Sequence, residues 1–585
     1  MARWSGSIGL VVAAALAVSL DASPAAGQVY VPPGGWSPSR MPSLQPTAPA
    51  VVVGQIVDAA TGRGIPKAIV TLASGSSHFV RVADDRGRFY FVGLHGGQYF
   101  LGATKPGYLD GINGQRHAGG DGVPFEIAEH QWTTDARISL WHSATLGGFV
   151  SDEAGEAVIG VRVEALRRQF VGTVPQLVAF GADVTDDQGA YRISDLPPGS
   201  YVVEVSSALV KNDAGGLDEF LLPVPAGFDR RHATAYPATY HPGAPTSTTA
   251  LVVTVGNGED RGNVDVRLTP APAVSVRGTV VGPEGPIDGQ LLRLIAADDE
   301  EAAPGRERAV TISAANGAFV FPEVPAGEYV VEPVAAQKAP AAIDAATAPT
   351  PSLWGRAAVT VADRDVDDVR ITMQPGATVS GQVAYEIVHG PPNTGHALSI
   401  DVVAASGRSA RQGDIDDQGA FAIHGLAPGS YFVFPVEPPP GWYLKSVTSR
   451  GRDLLSTPLV IAPSEEVMDL LVTFTDRPTE IIGTVTDARY YPVATATVLA
   501  FPAESPGASA IRSPLRMRST RATTAGVFHL IGLPIGDYYL VAVDDASSEG
   551  WQDPQRLDAL RALAVRVSIK NSDPKQQDLQ MPVKR

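Results

Sequence analysis

The chain of 585 residues contains no cysteine. This absence excludes disulfide bonds, thiolate metal sites and a cysteine nucleophile. It also excludes a lipid anchor attached through an N-terminal cysteine. Each domain must therefore be held together by its hydrophobic core alone.

Long apolar runs are also scarce. Only Ile8–Leu20 stands out; it follows Arg3 and precedes the small residues Ala25-Ala26-Gly27. This arrangement is typical of a secretory signal over residues 1–27, and the run is too short for a typical spanning helix. An uncleaved N-terminal anchor is the alternative. We expect no integral membrane segment after signal cleavage, and a secreted, periplasmic or cell-surface location.

Positive charge is in deficit, since the formal net charge is −17. An acidic surface argues against nucleic acid as a partner and against binding an anionic membrane by charge attraction alone. Common catalytic motifs are missing too: none of the 11 histidines has Glu three residues later, and there is no Gly-x-Ser-x-Gly elbow or phosphate-binding loop. We therefore expect a non-enzymatic protein with no catalytic residue, no cofactor and no metal.

What the chain does contain is a twelve-residue spacing that recurs five times. A glycine is followed two residues later by an aromatic, seven later by Leu or Val, ten later by a second glycine and twelve later by tyrosine. Successive copies lie 102, 128, 102 and 107 residues apart, which is a domain-sized period rather than that of a solenoid. The glycine–tyrosine pairs are Gly87–Tyr99, Gly189–Tyr201, Gly317–Tyr329, Gly419–Tyr431 and Gly526–Tyr538.

Each copy follows a β-branched run that contains an opening glycine, and the residues around it alternate between apolar and polar. Together with 60 glycines and 48 prolines at the turns, this pattern predicts an all-β fold of five tandem antiparallel β-sandwich domains. A short helix is expected only between Asp553 and Ala564, after which a closing strand ends the last module. The predicted organisation is a signal peptide at 1–27, a Pro-rich linker at 28–50, and modules at 51–143, 144–272, 273–376, 377–476 and 477–585.

The combined pattern resembles the carboxypeptidase regulatory-like domain. Asp84 to Tyr99 shows it in full, as Asp-x-x-Gly-x-Phe-x-Phe-x-x-Leu-x-x-Gly-x-Tyr, and the resemblance extends over residues 51–583. It implies a prealbumin-like (Ig-like) sandwich, classed with carbohydrate-binding folds and related to the repeats of bacterial collagen adhesins. It also implies an accessory module of an exported bacterial protein, without the zinc-binding histidines of a carboxypeptidase.

Two further chemistries were weighed. The acidic pairs Asp84-Asp85, Asp186-Asp187 and Asp416-Asp417 could bind calcium, but aspartate is favoured at turns, and modules three and five lack such a pair. The Lys–Asn crosslink of collagen-adhesin relatives needs a lysine on the opening strand. Only Lys67 lies in the first half of any module, so we expect no such crosslink.

A final recurrence suggests where a ligand could bind. After the tyrosine, each module carries an aromatic residue beside a glycine, and an exposed ring there could stack on a sugar. The alternative is that each ring caps the end of its own core. These five candidate ligand contacts are Tyr108, Phe228, Trp354, Trp442 and Trp551.

The sequence as a whole indicates an exported binding or scaffold protein whose partner is a glycan or a cell-surface protein. A passive spacer of the cell envelope is an alternative. Another is an accessory protein to an outer-membrane receptor or a secreted hydrolase.

Overall fold

The structure is a computed structural model in which nearly all regular structure of the described residues is β, with 58% of those residues in strands. It describes residues 50–582 apart from some internal positions, so the predicted signal and all of the predicted linker except Ala50 lie outside the described residues. Ala50 is fully buried in the first strand. The internal positions that are not described are 75–76, 121, 129, 207, 212–216, 221, 224, 226–232, 298–306, 335–352, 391–397, 406–409, 417, 437, 440, 505–512, 549 and 571.

A frame of seven strands in two sheets recurs at each of the five sequence repeats, and each copy of this frame with its loops is called a module below. In the first sheet the opening strand lies between the fourth strand, which follows the glycine turn, and the closing strand. In module order, the opening strands are Ala50–Asp58, Ala144–Ser151, Ala271–Gly282, Ala377–Glu386 and Glu480–Thr486. The fourth strands are Arg88–Leu94, Ala190–Leu196, Ala318–Pro325, Ala420–Leu426 and Val527–Ile531. The closing strands are Trp132–Leu140, Asp260–Arg261 with Val266–Arg267, Val366–Thr372, Glu466–Thr475, and Lys575–Gln576 with Leu579–Gln580.

The second sheet has the order third, second, tyrosine and sixth strand, where the tyrosine strand is the fifth along the chain. In module order, the second strands are Ile69–Ser74, Arg162–Val171, Leu291–Ala296, Ser399–Ala404 and Ala496–Pro502, and the third strands are Ser77–Val82, Val174–Val184, Ala309–Ile312, Ala410–Asp414 and Arg518–Arg521. The tyrosine strands are Gly97–Thr104, Gly199–Val205, Gly327–Pro333, Gly429–Val436 and Gly536–Asp544. The sixth strands are Phe125–Ile127, Val253–Val255, Ala357–Val361, Leu459–Ile461 and Val565–Ile569.

The alternation in the sequence gives the correct strand phase. In the fourth strand of module three, Phe319 and Phe321 are buried and meet edge to face at 5.7 Å, whereas Val320 between them is 43% exposed. The corresponding first aromatics of the other modules are buried as well. The inward faces of the two sheets form each module's core, as in a sandwich.

The prediction of antiparallel sheets was wrong in one respect. In all five modules the opening strand pairs in parallel with the closing strand of the same module. Residue alternation is the same for both strand directions, so the sequence pattern could not reveal the parallel pair.

The opening glycine lies at an interruption of that parallel pairing. The register shifts at Gly54, Gly278 and Gly381, and in modules two and five the closing strand is divided in two at this level. A Cβ on any of the five opening glycines would lie 1.8 to 2.3 Å from a carbonyl oxygen of the closing segment. No side chain fits at that distance, which explains why each module has glycine here.

The twelve-residue spacing corresponds to two repeated contacts. Each turn glycine has φ between +73° and +81°, and its carbonyl accepts a hydrogen bond from the opening strand, such as Ile56 N at 2.7 Å. Each tyrosine hydroxyl donates to the carbonyl four residues earlier, at 2.5 to 3.0 Å. The interval is fixed because both ends are tied to backbone atoms.

Module-specific elements are added to this frame. The predicted short helix is present as Pro554–Arg561, with Asp553 as N-cap accepting from Gln555 N at 2.8 Å. The remaining strands of the described residues are Gly111–Ile112, Ala208–Lys211, Leu217–Phe220, Thr234–Ala235, Thr239–Tyr240, Gly285–Pro286, Leu353–Trp354, Gln374–Pro375, Tyr443–Ser449 and Arg452–Asp453. Pro514–Arg516 and Asp545–Ser547 form 3₁₀ turns.

The chain divides into two compact units. Of the described residues, one unit comprises those up to Leu166 together with Ala179–Val205 and Tyr240–Arg267, and the other comprises Arg167–Val178, Ser206–Thr239 and those from Leu268 onward. Among the described residues, no helix is both long enough and apolar enough to cross a membrane.

Candidate binding site

Tyr108 is half-buried and belongs to a polar cluster at the end of module one. Its hydroxyl donates to Asp58 Oδ2 at 3.2 Å, and its ring stacks on His142 with the ring centroids 4.2 Å apart. His142 Nε2 lies 3.1 Å from the same carboxylate oxygen. The ring is therefore held in place by the module, with part of its surface exposed.

Asp58 is the acidic group of this cluster. Burial raises the pKa of its carboxyl, but hydrogen bonds from Thr61 and Tyr108 and the nearby His142 lower the pKa by more, so the pKa is below the usual value. Burial and the bond to Asp58 raise the pKa of the Tyr108 phenol. Both groups keep their ordinary charge near neutral pH, as expected for a structural cluster.

Trp354 is half-buried in module three, where Leu353–Trp354 pairs with Gln374–Pro375. Its indole N–H is buried and has no hydrogen-bond partner among the described residues. Leu353 beside it packs on the module's core. Trp354 thus lies at a rim of the module, partly accessible. Phe228 lies outside the described residues.

Trp442 and Trp551 are buried, at 6% and 5% exposure. Trp442 meets the edge of Tyr385 at 5.0 Å, and Tyr385 stacks on Phe474. Trp551 packs 6.4 Å from Phe501, in a cluster that includes Leu557 of the helix. A ring buried to this extent offers no face to a sugar, so the structure favours the core-capping alternative at these two positions.

The acidic turns use their carboxylates to stabilise the backbone. Asp84 Oδ1 accepts from Arg86 N and Arg88 N at 2.8 Å, and Asp186 and Asp416 make the same pair of bonds in their own turns. Despite burial, which acts in the opposite direction, the bonds from Arg88 and Arg86 lower the pKa of Asp84. Within the described residues, no group of three or more His, Cys, Asp or Glu could hold a metal ion.

A pair of aromatics that sequence reasoning missed lies on a turn of module five. Between the opening and second strands, Tyr490 is 80% exposed and Tyr491 is 67% exposed. Asp487 organises the turn: its Oδ1 accepts from Arg489 N at 2.8 Å and Tyr491 N at 2.9 Å, and its carbonyl accepts from Tyr490 N at 3.0 Å. We call Asp487–Tyr491 the tyrosine turn.

Module two has the same turn with a different sequence. Asp152 Oδ1 accepts from Ala154 N and Glu156 N at 2.9 and 2.8 Å, and Gly155 N donates to the Asp152 carbonyl at 3.1 Å. Gly155 has φ +86°, and Tyr490 occupies the equivalent position with φ +65°. A bulky residue in this left-handed region is a conformational outlier. The signal in the sequence was a Tyr-Tyr pair in a turn where glycine is expected.

Among known proteins, the chain is similar to solved structures only. No family model matches the chain, and no curated protein matches it. Solved structures that align with it include the Bacillus anthracis TIE protein (12% identity, 70% of this chain and 69% of that one, TM-score 0.14). Another is BcpA, the major pilin subunit of Bacillus cereus (10% identity, 56% of this chain and 100% of that one, TM-score 0.15).

A third is a pair of B repeat units of the Staphylococcus aureus collagen-binding protein (12% identity, 73% of this chain and 99% of that one, TM-score 0.13). At such identities and TM-scores, these similarities carry no argument about function. The tandem Ig-like description of this chain rests on its own sheets.

Proposed function

We propose that this chain is an exported, non-enzymatic binding protein whose five β-sandwich modules present surfaces to a glycan or a cell-surface protein. One observation carries the proposal: the repeated polar groups of the frame are used structurally. The tyrosine hydroxyls bond backbone carbonyls and the turn aspartates bond backbone N–H groups. Differences between modules lie outside that frame, which is where binding residues generally occur on a rigid scaffold.

The candidate contacts that retain exposed surface are Tyr108 and Trp354, together with the tyrosine turn. Tyr108 is attached to Asp58, and the tyrosine turn is fixed by Asp487, so neither needs to be ordered by a ligand. Preformed contacts of this kind bind with little loss of conformational entropy.

Binding is tested with the chain lacking residues 1–27, applied to a glycan array and to bacterial cells treated with protease or with glycosidase. Retention that disappears after only one treatment identifies the partner's class. A chain retained by neither the array nor untreated cells would contradict the proposal and support the passive spacer. The burial of Trp442 and Trp551 is the observation that favours that second candidate.

The non-enzymatic part is tested separately. We expect the purified protein to contain much less than one zinc per chain and to release no C-terminal residues from peptides. About one zinc per chain, removed by a chelator together with peptidase activity, would contradict it. An N-terminus at Gln28 in secreted material would support export with cleavage.

A further inference from the structure

The tyrosine turn exposes more aromatic surface than the structure of the module requires. In the described part of the chain, the hydrogen bonds of Tyr490 and Tyr491 are made by their backbone groups, within the turn. Neither ring belongs to a core cluster of module five. The two side chains therefore contribute little to the fold.

The backbone of this turn favours glycine, yet Tyr490 is present. Among the described residues, six turns of this type have glycine at the equivalent position, with φ between +73° and +86°: Gly87, Gly155, Gly189, Gly317, Gly419 and Gly526. A tyrosine there costs conformational energy that glycine does not. Strained residues that the fold does not need are found at functional sites, which makes the turn a candidate for ligand binding.

The charges of the turn indicate the kind of ligand. Asp487 Oδ1 already accepts two backbone N–H groups, so this oxygen stabilises the turn itself. Arg489, which directly precedes the two tyrosines in the chain, is exposed, and its guanidinium could bind a carboxylate with two parallel hydrogen bonds. The rings offer flat apolar faces with hydroxyls at their edges, which suit the C–H face and hydroxyls of a sugar.

The size of the turn favours a sugar over a protein. A specific protein interface buries roughly 800 Å² on each partner, whereas a tyrosine side chain offers at most about 150–250 Å². Three side chains on a five-residue turn are therefore too few for a protein interface, but they are enough for one or two sugar rings.

We infer that the tyrosine turn binds a carboxylate-bearing oligosaccharide, with sugar rings stacked on both Tyr490 and Tyr491 and a uronate carboxylate paired with Arg489. The inference rests on the proposed function and narrows it to one site and one class of glycan.

The experiment uses calorimetric titration of the chain lacking residues 1–27. The probes are hexagalacturonate, hexamannuronate and, as the neutral comparison, cellohexaose. We expect at least one uronate to bind with a Kd below about 1 mM. Tyr490→Gly and Tyr491→Ala should each weaken that binding at least tenfold, and Arg489→Gln should weaken uronate binding more than any binding of cellohexaose.

Tyr490→Gly is the decisive variant because Gly155 shows that the turn accommodates glycine. Loss of binding in this variant cannot then be attributed to misfolding. The matched control is Phe149→Ala, which removes an exposed aromatic of module two that is 55% accessible. This variant should leave the Kd unchanged.

The outcomes separate this inference from the proposed function. Uronate binding that survives both tyrosine substitutions would overturn the assignment of the site and leave a glycan-binding function standing. Absence of uronate binding by a protein that is retained on cells through a surface protein would overturn the inference alone. If neither glycans nor cells retain the chain, both fail.

Discussion

The segment from turn glycine to tyrosine and the turn after the opening strand follow opposite rules. The first has the same length in all five modules, because Tyr431 and its counterparts bond a carbonyl four residues earlier and the turn glycine bonds the opening strand. The second has glycine in module two and two exposed tyrosines in module five. Sequence is therefore constrained where side chains meet backbone atoms and free where they meet solvent.

The largest expected effect is the loss of a frame aromatic. Phe421→Ala should destabilise module four by about 3–5 kcal/mol, because the ring is buried at 4% exposure. Hydrogen exchange of module-four peptides in increasing denaturant measures this. The control His424→Ala changes an exposed residue of the same strand and should cost less than about 0.5 kcal/mol. A loss below about 1 kcal/mol for Phe421→Ala would contradict the burial of this strand face.

An opening glycine should be nearly as sensitive. Gly483→Ala would place a Cβ 1.8 Å from the Gln577 carbonyl oxygen, and backbone displacement there should cost about 3 kcal/mol in module five. Gly262→Ala, whose Cβ would meet no atom within 4 Å, is the matched control. Equal unfolding midpoints for the two variants would show that the parallel strands can separate without cost.

A smaller effect concerns Asp401, on the second strand of module four. Its Oδ1 is buried without a partner among the described residues, and burial raises its pKa from 3.8 to about 6. The folded module then holds a proton that the unfolded chain releases, so stability falls as pH rises from about 4 to about 6 and stays lower above that range.

Asp401→Asn removes this titration and should stabilise module four at pH 7.5 by about 1 kcal/mol. This gain is smaller than the full free energy of the pKa shift, because the side chain is partly solvated. Its unfolding midpoint should also change less between pH 4.5 and 7.5 than that of the unsubstituted protein. Asp558→Asn, on the exposed face of the helix, serves as the control. An unchanged pH profile in Asp401→Asn would assign the dependence to other groups.

The smallest expected effect is a gain in stability, whereas most substitutions destabilise a protein. Tyr490→Gly should stabilise module five by roughly 0.5 kcal/mol, since relief of a left-handed tyrosine exceeds the entropy cost of glycine. The reciprocal Gly155→Tyr should destabilise module two by about 1 kcal/mol. Destabilisation by Tyr490→Gly would mean that the tyrosine rings support the fold, and would weaken the reason for assigning them a ligand.

The frame could be predicted from sequence because its determinants are local. Gly317, Phe319 and Tyr329 lie within thirteen consecutive residues, where alternation and turn chemistry decide the structure. The parallel direction of the closing strand could not be predicted, since it depends on pairing between residues about 90 apart, such as Gly278 and Val369. The exposure of Trp551 also depends on distant residues, because Phe501 and the helix cover it. For the tyrosine turn, the residues were visible but the left-handed backbone at Tyr490 was not.

The contact between each opening glycine and the closing segment also bears on how such a chain can diversify by duplication. The conflicting atom is a backbone carbonyl oxygen, so no change of a neighbouring side chain could make room for a Cβ at Gly54 or Gly483. After a module is copied, this position is closed to every other residue while the loops remain free to change. Descendants of one ancestral module could therefore lose almost all overall identity and still share this glycine, the later glycine turn and the tyrosine.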